Sequence, residues 1–459
     1  MGRRSLPSAR DDVCMASFVP PQLHALLGCD LEAITETELG RLVGAAETEW
    51  LDAKREKYGN GDTPRRDLAA DIAAFANRQG GLLVIGLDEG PDGLICGLTP
   101  IADADLVGEE LRISQIVSGI TSPVPVFTVH RTGAASGGAY LIVSVPPSVR
   151  RPHAVVINDA LRYPVREGTG KRYLSESEVA DQYRSRFADA LNQVNQAHER
   201  HDAAVAQLDR RTMAWLVMSL EPDWSGRFTV TRDNTGGLRT FGRTAHTQFP
   251  TWFRDTTYTP VPSFRSLTLL DAHDKVYNST AALHLDGAGA MAFGWEWRPL
   301  NGVDQGTNKV AMIADEDIVG CLVNGIWSLA DWALAWCGAS GDATLLVQMY
   351  APGEYPMTLW QYRGMFPERL HNARDLTTST GLVSATVSLP AVHASGTDLL
   401  LTAKRITSDL EMAFGVLGPP QINSTGALRS KYFHHDRVDG LGKWATAWGV
   451  EMTEDAGTD

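Results

Sequence analysis

The sequence predicts a mixed α+β and α/β first part, then a long helical linker, then a separate α+β domain. Three observations predict this order. Helix-forming and strand-forming segments alternate over residues 31–175, apolar side chains recur at helical spacing over 176–211, and residues 212–459 change to Trp-containing, Gly-rich runs. A chain of 459 residues has room for two to three domains of ordinary size.

Residues 1–30 are interpreted as a leader, because MGRRSLPSARDDVCM has two arginines but lacks the apolar core of a signal peptide. A helix is predicted over Leu31–Val43 and a strand over Trp50–Lys54. The next helix begins at Thr63 and Pro64, which supply an N-cap and a proline at the first helical position. Its inward face is the stripe of Leu68, Ile72, Phe75 and Ala76.

Gly80 and Gly81 end that helix, and the apolar run LLVIGL (82–87) is predicted to be a strand buried on both faces. Four more strands are predicted at residues 125–131, 139–146, 154–158 and 161–167. These segments alternate with helices, which is typical of a sheet covered by helices.

A long helix is predicted from Ser175, which forms the capping box S-x-x-E with Glu178. From Phe187 onward, apolar and histidine side chains recur at alternating steps of four and three, the spacing of a coiled coil. Two interpretations stay open. The helix packs on a partner chain or on the next domain, or it folds back on its own domain.

The last part of the chain contains eleven of the twelve tryptophans. Alternating runs predict strands, interrupted by a helix over Ile318–Cys337 and another near Ile406–Phe414, which favours an α+β domain. The first helix is long enough to cross a membrane but contains Asn324 and Asp331, so we interpret it as a buried core helix. The aromatic side chains either form the core or line a surface for a ligand or partner.

The charge is uneven along the chain, whose formal net charge is −14. Residues 41–186 contain 17 Lys and Arg against 19 Asp and Glu, and the rest contains 24 against 36. This balance argues against unspecific coating of nucleic acid and leaves the first part as the place to meet an anionic polymer. The five cysteines show no metal-ligand spacing, which indicates reduced thiols in a cytoplasmic protein, and we expect no membrane partner.

Carboxylates cluster around the strand at Trp50–Lys54. Asp52 and Lys54 point to the same face of that strand, and Glu47 lies just before it. Asp88 and Glu89 follow the neighbouring apolar strand, at the end where α/β proteins place their sites. Carboxylates this close need a cation, and oxygen ligands favour Mg²⁺ or Mn²⁺. The alternative is a set of solvated loop acids with one salt bridge.

These segments resemble the Schlafen-type AlbA_2 domain. The matching pieces are Glu47, Asp52 and Lys54 in the pattern E-x-x-x-x-[ED]-x-K, then AFANRQGG (74–81), VIGLDE (84–89) and GLICGL (93–98), with further matches to RYPVREGTGKRYLSESEV. The resemblance covers roughly residues 40–185. The rest of the chain resembles no family we can name.

The resemblance implies a nucleic-acid-binding domain, some members of which are metal-dependent endoribonucleases that act on tRNA or rRNA. It implies that Glu47, Asp52 and Glu89 are catalytic and hold Mg²⁺ or Mn²⁺, with Asp88 adjacent and Lys54 neutralising the transferred phosphate. This chain departs from the family pattern at three positions. Asp52 stands where Glu is usual, Glu89 where Asp is usual, and Ala53 where Phe is usual.

Basic side chains near this cluster are predicted to contact phosphates. They are Arg65, Arg66, Arg78, Arg150, Arg151, His153, Arg166, Lys171 and Arg172. A single copy of a domain that eukaryotic relatives pair within one chain suggests a homodimer. The leading hypothesis is an endoribonuclease on structured RNA such as tRNA, acting in prokaryotic defence or stress. The alternatives are a non-catalytic DNA- or nucleotide-binding regulator, and an interaction protein whose C-terminal domain carries the function.

Overall fold

The computed structural model describes residues 18–158, 160–231, 237–238, 241, 249–251, 258–271, 277–296, 298–299, 309–363 and 366–454. Helices and several sheets are combined, so the predicted mixed α+β class is confirmed. The chain divides into two compact units, Met1–Leu191 and Asn192–Asp459.

The first unit begins with two short helices, α1 (Pro21–Leu27) and α2 (Glu36–Gly40), separated by a 3₁₀ turn at Leu31–Ala33. The predicted continuous helix over Leu31–Val43 is wrong, because Thr35 is extended and starts a new helix through a capping box with Glu38. The side chains of Leu23 and Leu27 are buried in the core that also contains Leu31. Packing therefore begins inside the segment interpreted as a leader.

The remaining elements of the first unit follow in chain order. They are β1 (Leu51–Lys54), α3 (Asp62–Ala76), β2 (Gly81–Ile85), β3 (Leu87–Glu89), β4 (Ile95–Leu98), α4 (Asp103–Leu106), α5 (Glu109–Ile120), β5 (Thr121–Ser122), β6 (Thr128–Gly133), β7 (Ala139–Val145), β8 (Ala154–Ile157), β9 (Ala160–Arg162), β10 (Pro164–Glu167) and β11 (Gly170–Tyr173). The central sheet has the order β1-β2-β7-β6. β1 and β2 are parallel, with Asp52 opposite Leu83, and the other pairs are antiparallel.

Helices cover both faces of β2. Leu83 and Ile85 pack in the core formed with α3 and α5, whereas Leu82 and Val84 pack in the core formed with α1 and α2. This alternation explains why the strand is apolar throughout.

The single strand predicted over LLVIGL is broken at Gly86. Gly86 has a φ of +110°, a conformation that favours glycine. The chain therefore leaves the central sheet, and β3 pairs with β4 in a separate antiparallel hairpin. As a result, Asp88 and Glu89 lie on that hairpin rather than at the end of β2.

Helix α6 (Glu176–Ala206) crosses the boundary between the two units. The predicted capping box is confirmed, because the Ser175 N–H donates to Glu178 Oε2 at 2.8 Å and the Glu178 N–H donates to Ser175 Oγ at 3.4 Å. In the second unit, Val205 packs with Met213, Trp215 and Val217. The later half of the helix is therefore a packed element of the second unit.

The second unit continues with β12 (Met213–Trp224), β13 (Tyr258–Ser263), β14 (Ser266–Asp271), β15 (Tyr277–His284), β16 (Gly289–Glu296), β17 (Arg298–Pro299), β18 (Lys309–Ala314), α7 (Asp315–Asp331), β19 (Ser340–Tyr350), β20 (Met357–Arg363), β21 (Phe366–Arg369), β22 (Val383–Ser388), α8 (Leu389–Ala394), α9 (Gly396–Met412), β23 (Leu428–Arg429), α10 (His435–Trp448) and β24 (Met452–Thr453). A π-helical turn at Trp332–Trp336 extends α7, and a 3₁₀ turn at Ser430–Tyr432 precedes α10. The main sheet has seven strands in the order β13-β14-β15-β16-β12-β19-β22.

The strands of this sheet alternate between two cores. Leu216 and Met218 of β12 join the large core that contains α7 and α9, and Trp215 and Val217 face α6. The segment Asp315–Trp336 is long and apolar enough to cross a membrane, but 78% of its most apolar window is buried inside the protein. It packs as a core helix, and the buried Trp295 and Trp332 belong to the same core.

Candidate nucleic-acid and metal site

Asp52 lies at the centre of a buried charge cluster on β1. Its side chain is 2% exposed, and Lys54 on the same face places Nζ 2.6 Å from Asp52 Oδ1. Arg166 from β10 places Nη1 3.5 Å from the same oxygen. The other oxygen, Asp52 Oδ2, is buried and has no hydrogen-bond partner among the described residues. One side of this carboxylate is therefore neutralised, and the other is left for a proton or a cation.

Glu47 completes this pair of acids. Its Oε1 accepts a hydrogen bond of 2.7 Å from the backbone N–H of Ala53, which fixes the carboxylate beside β1. The pKa of Glu47 is raised to about 7, mainly by burial and in addition by the nearby carboxylate of Asp52, although the hydrogen bond from Ala53 and the charge of Lys54 act in the opposite direction. Near neutral pH the protonated and ionised forms of Glu47 therefore have similar free energies.

Glu89 lies on β3, in the hairpin with β4, and not on β1 with Asp52. Its side chain is exposed, and a methyl group placed on Gly93 in the turn of the β3–β4 hairpin would lie 3.7 Å from Glu89 Oε1. Asp88 pairs instead with Arg55, at 3.4 Å. The turn at Gly86 places both acids on the β3–β4 hairpin, which pairs with the segment before Glu47 through the bridge between Ala46 and Leu94.

The same geometry limits which acids can share a metal ion. Within the described ranges, His434, His435 and Asp436 are the one group that brings three His, Cys, Asp or Glu donor atoms within 4.8 Å of one another. The expected triad of Glu47, Asp52 and Glu89 is not gathered in this way. The pair of Glu47 and Asp52 does fit a divalent ion, since it offers carboxylate oxygens and one of them has no partner within the described residues.

A second buried acid lies near the first. Asp71 of α3 is 5% exposed, accepts a hydrogen bond of 2.6 Å from the Tyr58 hydroxyl and pairs with Lys171 Nζ at 2.9 Å. Burial and the charges of Asp71 and Asp52 raise the pKa of Tyr58. Sequence reasoning missed Asp71 and Tyr58. A signal for Asp71 exists in the sequence, because an acid follows Leu68 by three residues on the inward face of α3.

Four of the residues predicted to contact phosphate are engaged by other groups of the domain instead, and two of them are buried. Arg166 is 3% exposed, donates to the carbonyl of Thr48 at 3.0 Å and lies over the ring of Phe75. His153 is 1% exposed with Nδ1 2.6 Å from the carbonyl oxygen of Pro123, and burial lowers its pKa to about 4. Those two predictions are therefore wrong in this conformation, because neither side chain reaches solvent.

Lys171 and Arg172 on β11 are the other two. Lys171 pairs with Asp71, and Arg172 pairs with Glu167 at 2.9 Å and with Glu178 at 2.7 Å. These ion pairs tie β11 to α3 and to the start of α6. Both cations are therefore occupied by carboxylates rather than offered to an anionic ligand.

The other five predicted cations are exposed or half-buried: Arg65, Arg66, Arg78, Arg150 and Arg151. Arg78 and Arg151 line one polar cleft of about 360 Å³, together with Asn77, Gln79, Asp181, Gln182 and Ser185. Arg66 donates to Asn158 Oδ1 at 3.1 Å. The cleft brings two of the predicted arginines to one place at the surface.

Comparison with known proteins gives a match to one family model and likenesses to 25 chains of solved structures. Residues 47–175 match the family model described as Schlafen, AlbA_2. The DIP2311 protein from Corynebacterium diphtheriae is similar at 20% identity with a TM-score of 0.22, over 36% of this chain and 28% of that one. The N-terminal domain of a putative ATP-dependent DNA helicase RecG-related protein from Nitrosomonas europaea is similar at 21% identity with a TM-score of 0.22, over 34% of this chain and 94% of that one. No curated protein matches the chain.

Proposed function

We propose that this chain, whose residues 47–175 form a Schlafen AlbA_2 domain, binds nucleic acid and cleaves structured RNA such as tRNA with a divalent metal ion. The observation that carries this proposal is the buried pair of Glu47 and Asp52. A buried carboxylate oxygen without a donor, such as Asp52 Oδ2, is costly unless a proton or a cation lies beside it. A pair of carboxylates of this kind suits a hard cation.

Glu47 and Asp52 would hold Mg²⁺ or Mn²⁺ in this proposal. The ion, when bound, polarises a phosphodiester and lowers the pKa of a water molecule. Glu89, on the β3–β4 hairpin, is the proposed third carboxylate. Lys54 lies half-buried against Asp52 and supplies positive charge next to the phosphate, and the Ala53 N–H keeps Glu47 oriented.

Arg78 and Arg151 are the proposed phosphate contacts. They lie in one cleft, and the ion pair that Arg78 makes with Glu49 is a loose one, with Nε 3.9 Å from the carboxylate oxygen. Arginines of this kind position a nucleic-acid backbone without reading its sequence. Arg65 and Arg66, near the start of α3, are proposed as further phosphate contacts.

The cellular role that we propose is that of a cytoplasmic defence or stress effector, by analogy with the family. The family model matches one AlbA_2 domain in the chain, so we further propose that a homodimer supplies the second half of a substrate cradle. Light scattering on the purified full chain tests that point, with a monomer at all concentrations as the contrary result.

A non-catalytic DNA- or nucleotide-binding regulator is the second candidate. It is favoured by a specific observation, namely that Lys54 and Arg166 both approach Asp52 Oδ1, while Glu47, Asp52 and Glu89 do not form a three-ligand group in the described part of the chain. In that case Asp52 has a structural role as the acceptor that holds β10 against β1.

The deciding experiment is incubation of the purified full chain with bulk tRNA in Mn²⁺ or in EDTA. We expect cleavage in Mn²⁺ that Glu47→Gln and Asp52→Asn abolish and that Glu56→Gln leaves intact, since Glu56 is exposed on the loop after β1. Cleavage that survives both substitutions would refute the proposal. Absence of cleavage together with a gel shift on duplex DNA would favour the regulator.

A further inference from the structure

Four carboxylates are buried together in the second unit. Asp315, Glu316 and Asp317 form the first turn of α7, and Glu411 lies near the end of α9. Each of the four side chains is at most 3% exposed. Burial of this many acids requires hydrogen bonds or positive charge to offset the loss of hydration.

Arg437 of α10 accounts for two of the acids. Its Nη2 lies 2.7 Å from Asp317 Oδ1, and its Nη1 lies 3.3 Å from Glu316 Oε1. The backbone N–H of His434 donates to Glu316 Oε2 at 2.6 Å. Glu316 and Asp317 thus have a structural explanation within α7 and α10.

Glu411 has no such explanation. Neither oxygen of Glu411 has a hydrogen-bond partner in the described part of the chain, and the charge that acts on Glu411 is the like charge of Asp315. Burial raises the pKa of Asp315 to about 7 and raises that of Glu411. Asp315 differs from Glu411, because it accepts a hydrogen bond of 2.7 Å from the N–H of Glu316 and is also hydrogen-bonded by the side chain of Gln421.

Two neutral oxygens without donors lie in the same region. Thr407 is fully buried one turn before Glu411 on α9, and its Oγ1 has no hydrogen-bond partner within the described residues. Gln421 is also fully buried, its side chain is hydrogen-bonded to Asp315, and its Oε1 has no partner among those residues. Thr407, Glu411 and Gln421 therefore supply buried oxygens without donors among the described residues, and Asp315 links Glu411 and Gln421, through its charge on the first and its hydrogen bond with the second.

We propose that Asp315, Thr407, Glu411 and Gln421 form a binding site for one hard divalent cation, Ca²⁺ or Mg²⁺, in the C-terminal domain. The donor set consists of oxygens alone, which is the set that these ions prefer. The two charges of Asp315 and Glu411 match the charge of the ion. The site joins α7, α9 and the segment before β23, so the ion would stabilise the packing of the second unit.

A competing account is that Asp315 and Glu411 are simply protonated. The two accounts differ in one respect that can be measured. A protonated Glu411 tolerates replacement by the isosteric glutamine, whereas a ligand does not, because the amide loses the charge that attracts the ion.

The test uses the full chain stripped of metal by chelation, with Ca²⁺ and Mg²⁺ titrated separately by calorimetry and by thermal unfolding. In the Asp52→Asn background, which removes a ligand of the site proposed in the AlbA_2 domain, we expect one ion per chain and a rise in unfolding temperature on addition. We expect Glu411→Gln to lower the affinity by more than about tenfold, since even outer-shell changes cost about 10–100-fold. Asp409→Asn is the matched control, because Asp409 is exposed on the same helix, and it should bind as the wild type does.

Two further variants keep the test decisive. Thr407→Val removes one ligand oxygen at nearly constant volume and should also weaken binding of the ion. It takes the place of Glu411→Gln in the test if that variant does not fold. Asp52→Asn should retain the ion, which separates this site from the proposed site in the AlbA_2 domain. The proposal is overturned if neither ion shifts the unfolding temperature, or if Glu411→Gln binds as many ions as the wild type with equal affinity.

Discussion

Arg166 and Lys171 face each other across the β10–β11 hairpin, and each pairs with a different buried aspartate. Arg166 lies 3.5 Å from Asp52 on β1, and Lys171 lies 2.9 Å from Asp71 on α3. One two-stranded element therefore neutralises two acids that belong to different parts of the domain. The hairpin holds the candidate site in shape without offering its charges to a ligand.

Replacement of Arg166 should destabilise the folded protein. Arg166→Met leaves Asp52 with Lys54 alone and removes the donors to the carbonyls of Thr48 and Leu51. We expect the free energy of unfolding to fall by about 3 kcal/mol, as for a buried pair that loses one partner. Arg172→Ala, on the next strand, should change it little, because its ion pairs are open to solvent. Urea unfolding of both variants checks this, and equal losses would contradict it.

The stability of the protein should depend on the ionisation of Glu47. Its pKa in the folded state, about 7, lies above the ordinary value of 4.5, so its contribution to stability is complete below pH 4.5 and is lost as the pH rises through 7. Burial also raises the pKa of Glu221 to about 7, which has the same sign. The free energy of unfolding of the wild type should therefore fall between about pH 5 and 8. We expect Glu47→Gln to make this fall smaller by on the order of 1 kcal/mol.

Chemical unfolding at several pH values in that range, with EDTA present, measures the effect. The exposed Glu56→Gln serves as the control and should follow the wild-type profile. A Glu47→Gln profile parallel to that of the wild type would show that Glu47 is not the titrating group.

Binding of RNA or DNA should depend on Arg78 and Arg151 through charge. The double change to alanine should weaken binding for all sequences, and it should reduce the slope of log K against log salt by about 0.7–0.9 for each phosphate that these arginines neutralise. Arg172→Ala should leave the slope unchanged, because Glu167 and Glu178 already hold that guanidinium. Fluorescence anisotropy at several salt concentrations measures both, and an unaltered slope in the double variant would exclude the cleft.

Gly80→Ala should lower the free energy of unfolding more than Gly44→Ala does. Both residues have positive φ, +76° and +88°, but a Cβ at Gly80 would lie 2.6 Å from the carbonyl oxygen of Val145, whereas the space around Gly44 is open. We expect a loss of about 3 kcal/mol for Gly80→Ala and about 1 kcal/mol for Gly44→Ala. Similar losses in thermal unfolding would mean that the close approach of the strand is unimportant.

Local signals explain what could be predicted from the sequence. Capping by Ser175, the apolar face of α3 and the shared face of Asp52 and Lys54 depend on neighbours within a few residues, and all three occur in the structure. The break at Gly86 could not be predicted in the same way, because the apolar run continues through it. The strand that holds Glu89 is set by this break and by the pairing of β3 with β4 that follows it.

The burial of two basic side chains could not be predicted from the sequence either. An arginine in a sequence gives no sign of burial when its partner comes from a distant segment, as Asp52 does for Arg166. His153 is similar, since the groups that hold it belong to Asn77 and Pro123. By contrast, Arg78 follows the end of α3 directly, and its exposure agrees with its position after that helix.

The β10–β11 hairpin also sets the order in which this domain can mature on the ribosome. Lys54 follows Asp52 at once, but Arg166, the second cation on Asp52, and Lys171, the partner of Asp71, are synthesised roughly a hundred residues after these acids. Until Arg166 and Lys171 emerge, β1 and α3 carry acids that favour water over a closed interior. Completion of the acid site is therefore a late event of synthesis, reached only when nearly the whole first unit has left the exit tunnel.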